Sequence, residues 1–377
     1  MSTFRIKKAS APTDAFFASL EDDERALLDE TSFRRMMAIE RKRTERTGEP
    51  FLLMLVERHE SGKSDLLERV AQLLLTAGRD TDLTGWYSPK AVGMLFTGLP
   101  DSERGPLLEA IAARVDRAFH RALPDVEIAG LSVSFHFFPD DWKLNSTTEQ
   151  SDTALYPDLK NLERNRRSML ATKRAMDIAG SALGLIALSP FLLAIAVAIK
   201  LSSKGPVLFK QQRVGQYGRC FSFLKFRSMR TGNDPRIHQQ YVRRLIENPE
   251  DETLKSEDGV YKITRDPRVT RVGSLLRRTS LDELPQLWNV LRGEMSLVGP
   301  RPAIPYELEA YQTWHRRRLL EAKPGMTGLW QVVGRSQVSF DEMVRLDLRY
   351  AMHWSPALDL KILWRTPLAV LRGKGAY

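Results

Sequence analysis

The longest apolar run in the chain extends from Ile178 to Ile199, and none of its residues carries a charge. About 20 apolar residues suffice for a helix to span a bilayer, but Ser189-Pro190 lies at the centre of this run. A proline in mid-helix removes one backbone hydrogen bond, and hydrocarbon offers no water to replace it. The pattern therefore predicts a membrane segment over residues 176–201, broken into two helices at Ser189 and Pro190.

Basic residues flank this run on both sides, namely Lys173, Arg174, Lys200 and Lys204. Because positive charge marks the cytoplasmic side of a membrane segment, two positive ends favour a re-entrant anchor that enters and leaves by the same face. A straight spanning helix with a tolerated proline kink is the alternative. A buried helix of a soluble core is disfavoured, because the run has no polar stripe.

The first 140 residues alternate between helical and strand-like patterns. The predicted order is helix, strand, helix, strand, helix, strand, in the segments SFRRMMAIERKRTERT, FLLMLVER, SDLLERVAQLLLTAG, AVGMLFTGL, SERGPLLEAIAARVDRAFHRAL and VEIAGLSVSFHFF. Gly48 is expected to end the first helix, and Ser64 or Asp65 to cap the second. The pattern is that of an α/β domain.

Composition and charge narrow the picture further. A chain of 377 residues is long enough for two or three domains, and we predict a domain at 1–145, a polar linker at 146–164 and a mainly helical, membrane-anchored domain at 165–377. The net charge of +10 fits an anionic membrane or a phosphorylated substrate. No nucleic-acid partner is expected, because no groove-reading module is apparent.

Cysteine and histidine usage excludes two classes of site. The single cysteine rules out an intrachain disulfide, and the scattered histidines offer no zinc spacing. The absence of an apolar leader predicts that the soluble mass lies in the cytoplasm.

Two stretches after the apolar run are rich in cations. Alternation in VLFKQQRVG and CFSFLKFRSM predicts a small β-hairpin that carries Lys225 and Arg227. The next stretch gathers six arginines, Arg277 and Arg301 among them, around the pair Asp282-Glu283. Arginine forks suit phosphate, while a carboxylate can hold Mg²⁺ or attack phosphorus. This stretch is therefore the candidate phosphoryl-transfer site.

A purely structural role for Asp282 uses the same residues. Ser280-Leu-Asp-Glu283 is a capping-box pattern, although Pro285 would then fall inside the helix. With Asp282 as the cap, Pro285 would fall in the first turn, where N–H groups lack partners anyway. The functional interpretation shares this geometry, because a helix N-terminus attracts phosphate.

The segment WSPALDLKILWRTPLAVLRGKGAY near the C-terminus predicts an amphipathic helix. Its cations Lys361 and Arg365 and its aromatic residues Trp354 and Trp364 suit a helix that lies at the membrane surface. A core-facing helix fits the segment equally well.

Residues 30–140 resemble a degenerate diguanylate cyclase (GGDEF) domain, in element order and in the stretch that begins at Arg79. The signature position reads SPKAV, and the first strand ends Val56-Glu57-Arg58, where the family has a metal-binding aspartate. The resemblance therefore implies an α/β sandwich without cyclase activity. Arg79 and Asp82 match the family's product-binding pair for cyclic di-GMP. Alternatively, they form a helix-terminal charge pair inherited with the fold.

Residues 173–377 resemble the bacterial sugar transferases, the monotopic polyprenyl-phosphate phosphoglycosyltransferases. The likeness rests on KRAMDIAGSALGLIALSPFLL, FLKFRSM, RRTSLDELPQLWNVLRGEMSLVGPRP, KPGMTGLWQV and LDLKILWRT, in that order. The resemblance implies a catalytic dyad at Asp282 and Glu283 that also holds Mg²⁺. It implies phosphate-binding residues at Lys225, Arg227, Arg277 and Arg301.

The implied reaction moves a sugar 1-phosphate from a UDP-sugar to polyprenyl phosphate and releases UMP, through an intermediate on Asp282. This would take place at the cytoplasmic face of the bacterial inner membrane, among its lipids, and would initiate exopolysaccharide synthesis. The alternative is a membrane-attached cyclic di-GMP receptor with an inactive transferase half, and a transferase regulated through both halves is a compromise. A homo-oligomer is left open.

Overall fold

The computed structural model describes residues 26–58, 65–99, 104–140, 153–157, 167–230, 236–247, 268–334 and 338–371. The chain forms two compact units, residues 1–140 and 141–377. Most of the predicted linker at 146–164, and Ser64 as a predicted cap, lie outside the described residues.

The first unit is a four-stranded antiparallel sheet with helices packed against it. The strand order is β2-β3-β1-β4, and its apolar core joins the sheet to the second and third helices. The elements are α1 (Glu30–Thr47), β1 (Phe51–Arg58), α2 (Asp65–Ala77), β2 (Leu83–Ser88), β3 (Ala91–Phe96), α3 (Arg104–Ala122), α4 (Asp125–Ile128) and β4 (Leu131–Phe138).

All six predicted elements of this unit are present, with two differences. Gly48 ends α1 at φ 79°, as predicted, and the last predicted strand loses its first residues to the short helix α4. Strand β2 was missed, because Gly85 reads as a turn residue. A Cβ at Gly85 would lie 2.8 Å from the Phe33 ring. The glycine therefore permits close packing of α1 on the strand.

The second unit is mainly helical, with a two-stranded antiparallel hairpin and a short parallel pair. The predicted hairpin is confirmed, and its register opposes Phe209 to Lys225. The elements are α5 (Arg167–Ser202), β5 (Leu208–Val214), β6 (Cys220–Phe226), α6 (Arg236–Glu247), α7 (Arg271–Arg278), α8 (Gln286–Arg292), β7 (Ser296–Val298), α9 (Thr313–Glu321), β8 (Gly325–Thr327), α10 (Leu329–Val333), α11 (Phe340–Met352) and α12 (Pro356–Leu371).

The apolar run lies within α5, a helix of 36 residues that is apolar and long enough to cross a membrane. The predicted break at Ser189-Pro190 is not an interruption of helical structure, because α5 continues through Pro190. The missing N–H of Pro190 frees the carbonyl of Ile186, four residues earlier. The Ser189 hydroxyl donates to that same oxygen at 2.8 Å, and it thereby replaces the lost hydrogen bond.

The N-terminal part of α5 is fixed to the rest of the second unit through two basic side chains. The Lys173 ammonium donates to Asp359 at 2.6 Å and to the Val298 carbonyl at 3.0 Å. The Arg174 guanidinium donates to the carbonyls of Val290 and Leu291, both at 2.7 Å, at the end of α8. These contacts position α5 against the elements that carry Asp282.

Helix α12 combines features of the two predicted alternatives, a core-facing helix and a helix at the membrane surface. Ile362 and Asp359 are buried in the unit. Leu360, Trp364 and Leu368 recur every fourth residue and are 59%, 87% and 50% exposed. One face therefore packs on the core, while the other presents an apolar stripe.

Candidate active site

The Asp282-Glu283 pair lies on a tight turn between α7 and α8. Residues Leu281–Glu283 form one 3₁₀ turn, which the chain enters through Ser280 at φ 56°. A non-glycine residue with positive φ costs of the order of 1 kcal/mol. The strain thus sits directly before the two carboxylates.

Neither predicted capping arrangement is present. Helix α8 begins after Pro285, which stands at its cap position, and the Ser280 side chain makes no capping hydrogen bond. Among the described residues, the Asp282 carboxylate accepts no capping N–H either. Because Pro285 precedes the first helical residue, its missing N–H costs no helical hydrogen bond. Asp282 is then three residues before the cap position and does not cap the helix.

Asp282 is buried in a charged environment. Its side chain is 8% exposed. Burial, followed by the neighbouring charge of Glu283, raises the pKa of Asp282 to about 6, while Lys225 and Arg277 act in the opposite direction. Within the described ranges, no cation lies within 4 Å of its oxygens. The carboxylate is therefore poorly solvated and unpaired, as suits a nucleophile or a ligand.

Lys225 faces this turn from strand β6. Its ammonium lies 5.2 Å from the centre of the Phe209 ring. Burial and then the charge of Arg213 lower the pKa of Lys225 to about 8, against the opposing effect of Asp282 and Glu283. Lys225 has no ion pair with any described residue, so its donors are available to a ligand.

Arg213 and Arg301 form a second cationic group beside the dyad. Arg213 is buried, and its Nη1 donates to the Pro302 carbonyl at 2.9 Å while Nη2 donates to Gln211 at 2.9 Å. Burial and then Arg301 lower the pKa of Arg213 to about 10. The Arg301 side chain is exposed. The sequence did not single out Arg213, since its holding role depends on a contact with a distant loop.

Most of the sequence-predicted residues belong to one electrostatic group. The charges of Glu283, Lys225 and Arg277 all act on the pKa of Asp282, and Asp282 and Glu283 act on that of Lys225. Arg301 is linked to this group through Arg213, whose pKa it lowers.

Arg227 is not part of this group. Its buried guanidinium donates to the carbonyls of Pro206 and Ser203, at 2.7 Å in the second case, and to that of Ile199. Arg227 follows Lys225 by two residues in the sequence, but its Nη1 and Nη2 donors are committed to the end of the anchor helix and to the turn after it. We do not retain it as a phosphate ligand.

Two carboxylates are the acidic groups available for a metal here. The described residues contain no cluster of three or more side chains that could hold one. Mg²⁺ is commonly bound by one or two carboxylates together with substrate phosphates. Asp282 and Glu283 fit that mode, because they are adjacent and unpaired among the described residues, and because the charge of Glu283 raises the pKa of Asp282.

Arg79 and Asp82 lie at the turn after α2 in the first unit. The Asp82 carboxylate accepts the Arg79 backbone N–H at 2.8 Å, and the Asp82 N–H donates to the Arg79 carbonyl at 3.0 Å. This arrangement closes the turn itself. These hydrogen bonds involve the Arg79 backbone, so they are local contacts but not the charge pair that was the alternative.

The comparisons with known proteins concern mainly the second unit. The family described as "Bacterial sugar transferase" matches residues 168–373, which is more than half of the chain. The chain belongs to the bacterial sugar transferase family. The transferase unit thus contains the anchor, the hairpin and the Asp282 turn.

Relatives in this family carry informative names. The transferase is 42% identical over 206 residues to exopolysaccharide production protein ExoY of Sinorhizobium fredii, covering 55% of this chain and 88% of that protein. It is 43% identical over 213 residues to undecaprenyl-phosphate galactose phosphotransferase of Salmonella typhimurium, covering 56% of this chain but 43% of that protein. The chain thus spans less than half of the latter.

The first unit has a weaker counterpart. A solved structure described as a DGC protein from Thermotoga maritima covers 31% of this chain and 85% of that chain, at 16% identity and a TM-score of 0.26. Such a low score supports no argument, and the GGDEF-like assignment stays a prediction.

Proposed function

We propose that this transferase moves a sugar 1-phosphate from a UDP-sugar to polyprenyl phosphate and releases UMP, the first step of an exopolysaccharide or related glycan. The observation that carries the proposal is the buried Asp282 carboxylate, which has no capping role and no ion pair among the described residues. The names of the relatives support undecaprenyl phosphate as acceptor and exopolysaccharide as product.

The first step forms an acyl phosphate on the enzyme. An ionised Asp282 oxygen attacks the β-phosphorus of the UDP-sugar, the bond from that phosphorus to the bridging oxygen breaks, and UMP leaves with the bond's electrons. Lys225, Arg277 and Arg301 bind the phosphate oxygens. Their positive charges offset the charge of the diphosphate and of the leaving UMP.

The second step transfers the phosphosugar to the lipid. A phosphate oxygen of polyprenyl phosphate attacks the same phosphorus, and the Asp282 carboxylate leaves, so the nucleophile is regenerated and a lipid diphosphosugar is formed. Glu283 and Asp282 would hold Mg²⁺, which would neutralise further phosphate charge.

We place the anchor at the cytoplasmic face of the inner membrane, and the contacts of α5 support its entering and leaving by one face. Gly184 lies against Leu287, and packing against the same unit resumes at Leu192, eight residues later. Eight residues of helix are about 12 Å long, whereas the hydrocarbon core is about 30 Å thick. A spanning helix would carry one of these contact points away from the catalytic unit.

For the first unit we propose a regulatory domain that has no cyclase activity. The signature position lies at the turn between β2 and β3 and carries Ser88-Pro89-Lys90. The self-contained turn at Arg79 and Asp82 gives no observation in favour of a cyclic di-GMP receptor, so we do not propose that second function.

The test is nucleotide release by the purified full-length protein with polyprenyl phosphate, Mg²⁺ and a panel of UDP-sugars. We expect UMP with at least one sugar, and no UMP above background from Asp282→Asn. Asp116→Asn, an exposed substitution in the first unit, should match the parent and controls for the chemical change. Release of UDP would indicate ordinary glycosyl transfer, and full activity of Asp282→Asn would exclude the aspartyl intermediate.

A further inference from the structure

The loop that carries Arg301 is held by its backbone oxygens. The carbonyls of Arg301, Pro302 and Ala303 accept, in that order, from Arg318 Nη2, from Arg213 Nη1 at 2.9 Å and from the Val214 N–H at 2.8 Å. Prolines on both sides of Arg301 fix two further backbone angles. Three successive carbonyls with three different donors leave this loop little freedom.

Arg318, on helix α9, is unusually deep for a charged residue. Arg318 and its partner Asp347 on α11 are each 1% exposed, and Nη1 lies 3.4 Å from Asp347 Oδ2. Among the described residues, Nε and Nη1 of Arg318 and both oxygens of Asp347 make no hydrogen bond. The Nη2 donor to Arg301 is therefore the part of Arg318 that makes a directed contact.

Such a pair is a poor device for stability alone. Removing two charges from water costs about as much as their attraction returns, and apolar replacements of buried pairs are often neutral or stabilising. The surroundings are partly apolar, because the Arg318 guanidinium lies 6.0 Å from the centre of the Tyr311 ring, and both Tyr311 and Val344, one turn before Asp347 on α11, belong to an apolar core cluster. Burial raises the pKa of Asp347 to about 7, against the charge of Arg318, which is a further sign of this cost.

The loop also has a repulsion to resist. Arg301 is close enough to Arg213 to lower the pKa of its guanidinium, and two like charges with mobile backbones would separate. Arg318 and Arg213 hold adjacent carbonyls of the loop, so the Arg301 side chain stays beside Arg213.

We propose that Arg318, with Asp347 as its counter-ion, is a positioning residue that fixes Arg301 at the phosphate-binding site. This inference rests on the proposed function, in which Arg301 binds substrate phosphate. Arg318 does not touch substrate and acts through the Arg301 backbone.

The decisive variant replaces both charges at once. In the full-length Arg318→Met/Asp347→Leu protein, neither charge of the pair is left buried without the other, and the hydrogen bond to the Arg301 carbonyl is lost. Removing the pair is neutral or stabilising and losing one hydrogen bond costs about 1 kcal/mol, so we expect a melting temperature within a few degrees of the parent. We expect kcat/KM for the UDP-sugar to fall at least tenfold, close to the fall in Arg301→Ala. If Arg318 and Asp347 had a structural role alone, a double variant as stable as the parent would also be as active as the parent. That result would overturn the proposal.

A coupling measurement separates this inference from the function it rests on. When the double change is added to Arg301→Ala, kcat/KM should fall by less than twofold more, because both act through the same side chain. A further tenfold fall would mean that Arg318 acts elsewhere. If Arg301→Ala alone leaves kcat/KM unchanged while the parent still releases UMP, the reaction stands but the role of Arg301, and with it this proposal, is excluded.

Discussion

The ends of the anchor helix and the turn that carries Asp282 both hold buried or partly buried charges, but the surroundings of these charges differ. At the anchor, the donors of Lys173, Arg174 and Arg227 are taken up by a carboxylate and by backbone carbonyls. At the turn, Asp282 and Lys225 have no ion pair with any described residue. Burial raises the pKa of the first to about 6 and lowers that of the second to about 8.

This difference separates cations that stabilise the fold from cations whose donors are available to a ligand. A basic side chain whose donors are satisfied by the protein has nothing left for phosphate, even when it lies close to the site in sequence. A buried and unsatisfied charge is costly in the free protein. Substrate or metal can recover that cost, which makes the unsatisfied set the better candidate for function.

The largest expected effect follows from removing an unsatisfied cation. Lys225→Met should lower kcat/KM by about 10²- to 10³-fold, the usual loss when one charge-stabilising donor is removed. It should leave the melting temperature nearly unchanged, since a partly buried charge without an ion pair among the described residues is replaced by an apolar side chain that can still pack on Phe209. Initial rates of UMP release measure the effect on activity, and a thermal melt measures the effect on stability. Normal activity of Lys225→Met would place Lys225 outside the site.

Removing a cation whose donors are bound by the protein should instead lower stability and leave activity nearly unchanged. Arg227→Gln removes donors from the carbonyls of Ile199, Ser203 and Pro206 and should cost about 2–3 kcal/mol of stability. The kcat/KM of the folded fraction should stay within threefold of the parent. A stable protein with a large loss of activity would restore Arg227 to the phosphate-binding group.

A smaller effect is expected on metal dependence. Glu283→Gln keeps the size of the side chain but removes one charge from the pair that we propose for Mg²⁺. The Mg²⁺ concentration for half-maximal rate should rise about tenfold, as measured by titration at saturating substrates. An unchanged requirement in this variant would show that Glu283 does not contribute to the metal.

The pH profile distinguishes Lys225 from an arginine in the same place. Because the Lys225 pKa is lowered to about 8, its ammonium is present below that pH and lost above it. The rate should therefore fall about tenfold from its plateau by pH 9. Lys225→Arg keeps its charge throughout, so its profile should have no basic limb below pH 9.5, although its plateau is lower. A shared limb in both proteins would assign it to another group.

The smallest effect concerns the carbonyl freed by Pro190. Ser189→Ala removes the hydroxyl that donates to Ile186 and should cost about 0.5–1 kcal/mol. Ser189→Thr keeps a hydroxyl and serves as the matched control. Equal melting temperatures of the Ala and Thr variants would show that this hydrogen bond does not stabilise the anchor.

Much of the architecture could be predicted from local pattern. The hairpin, the helix that ends at Gly48 and the uncharged run are short-range features, and periodicity reports those directly. Strand β2 was missed because Gly85 is required by contact with Phe33, which is distant in sequence. The predicted interruption of the helix at Pro190 was wrong, because the Ser189 hydroxyl supplies a hydrogen bond in place of the one that Pro190 removes.

The candidate site was predictable in composition but not in the roles of its cations. Sequence placed Lys225 and Arg227 together, two residues apart on an extended strand end, yet their partners come from different parts of the chain. Arg213 could not be told apart from the other cations of the hairpin stretch, and Arg318 and Asp347 were not predicted, for the same reason. A motif indicates which residues could bind phosphate, whereas burial and donor use determine which of them are free to do so.

The most direct test of the account is the mass of the protein after exposure to UDP-sugar and Mg²⁺ without lipid acceptor, followed by peptide mapping. We predict a gain equal to one sugar phosphate, located on the peptide that contains Asp282, which disappears when polyprenyl phosphate is added. Asp282→Asn should show no gain. Full turnover by a protein that never carries this adduct, or an adduct on another residue, would contradict the account.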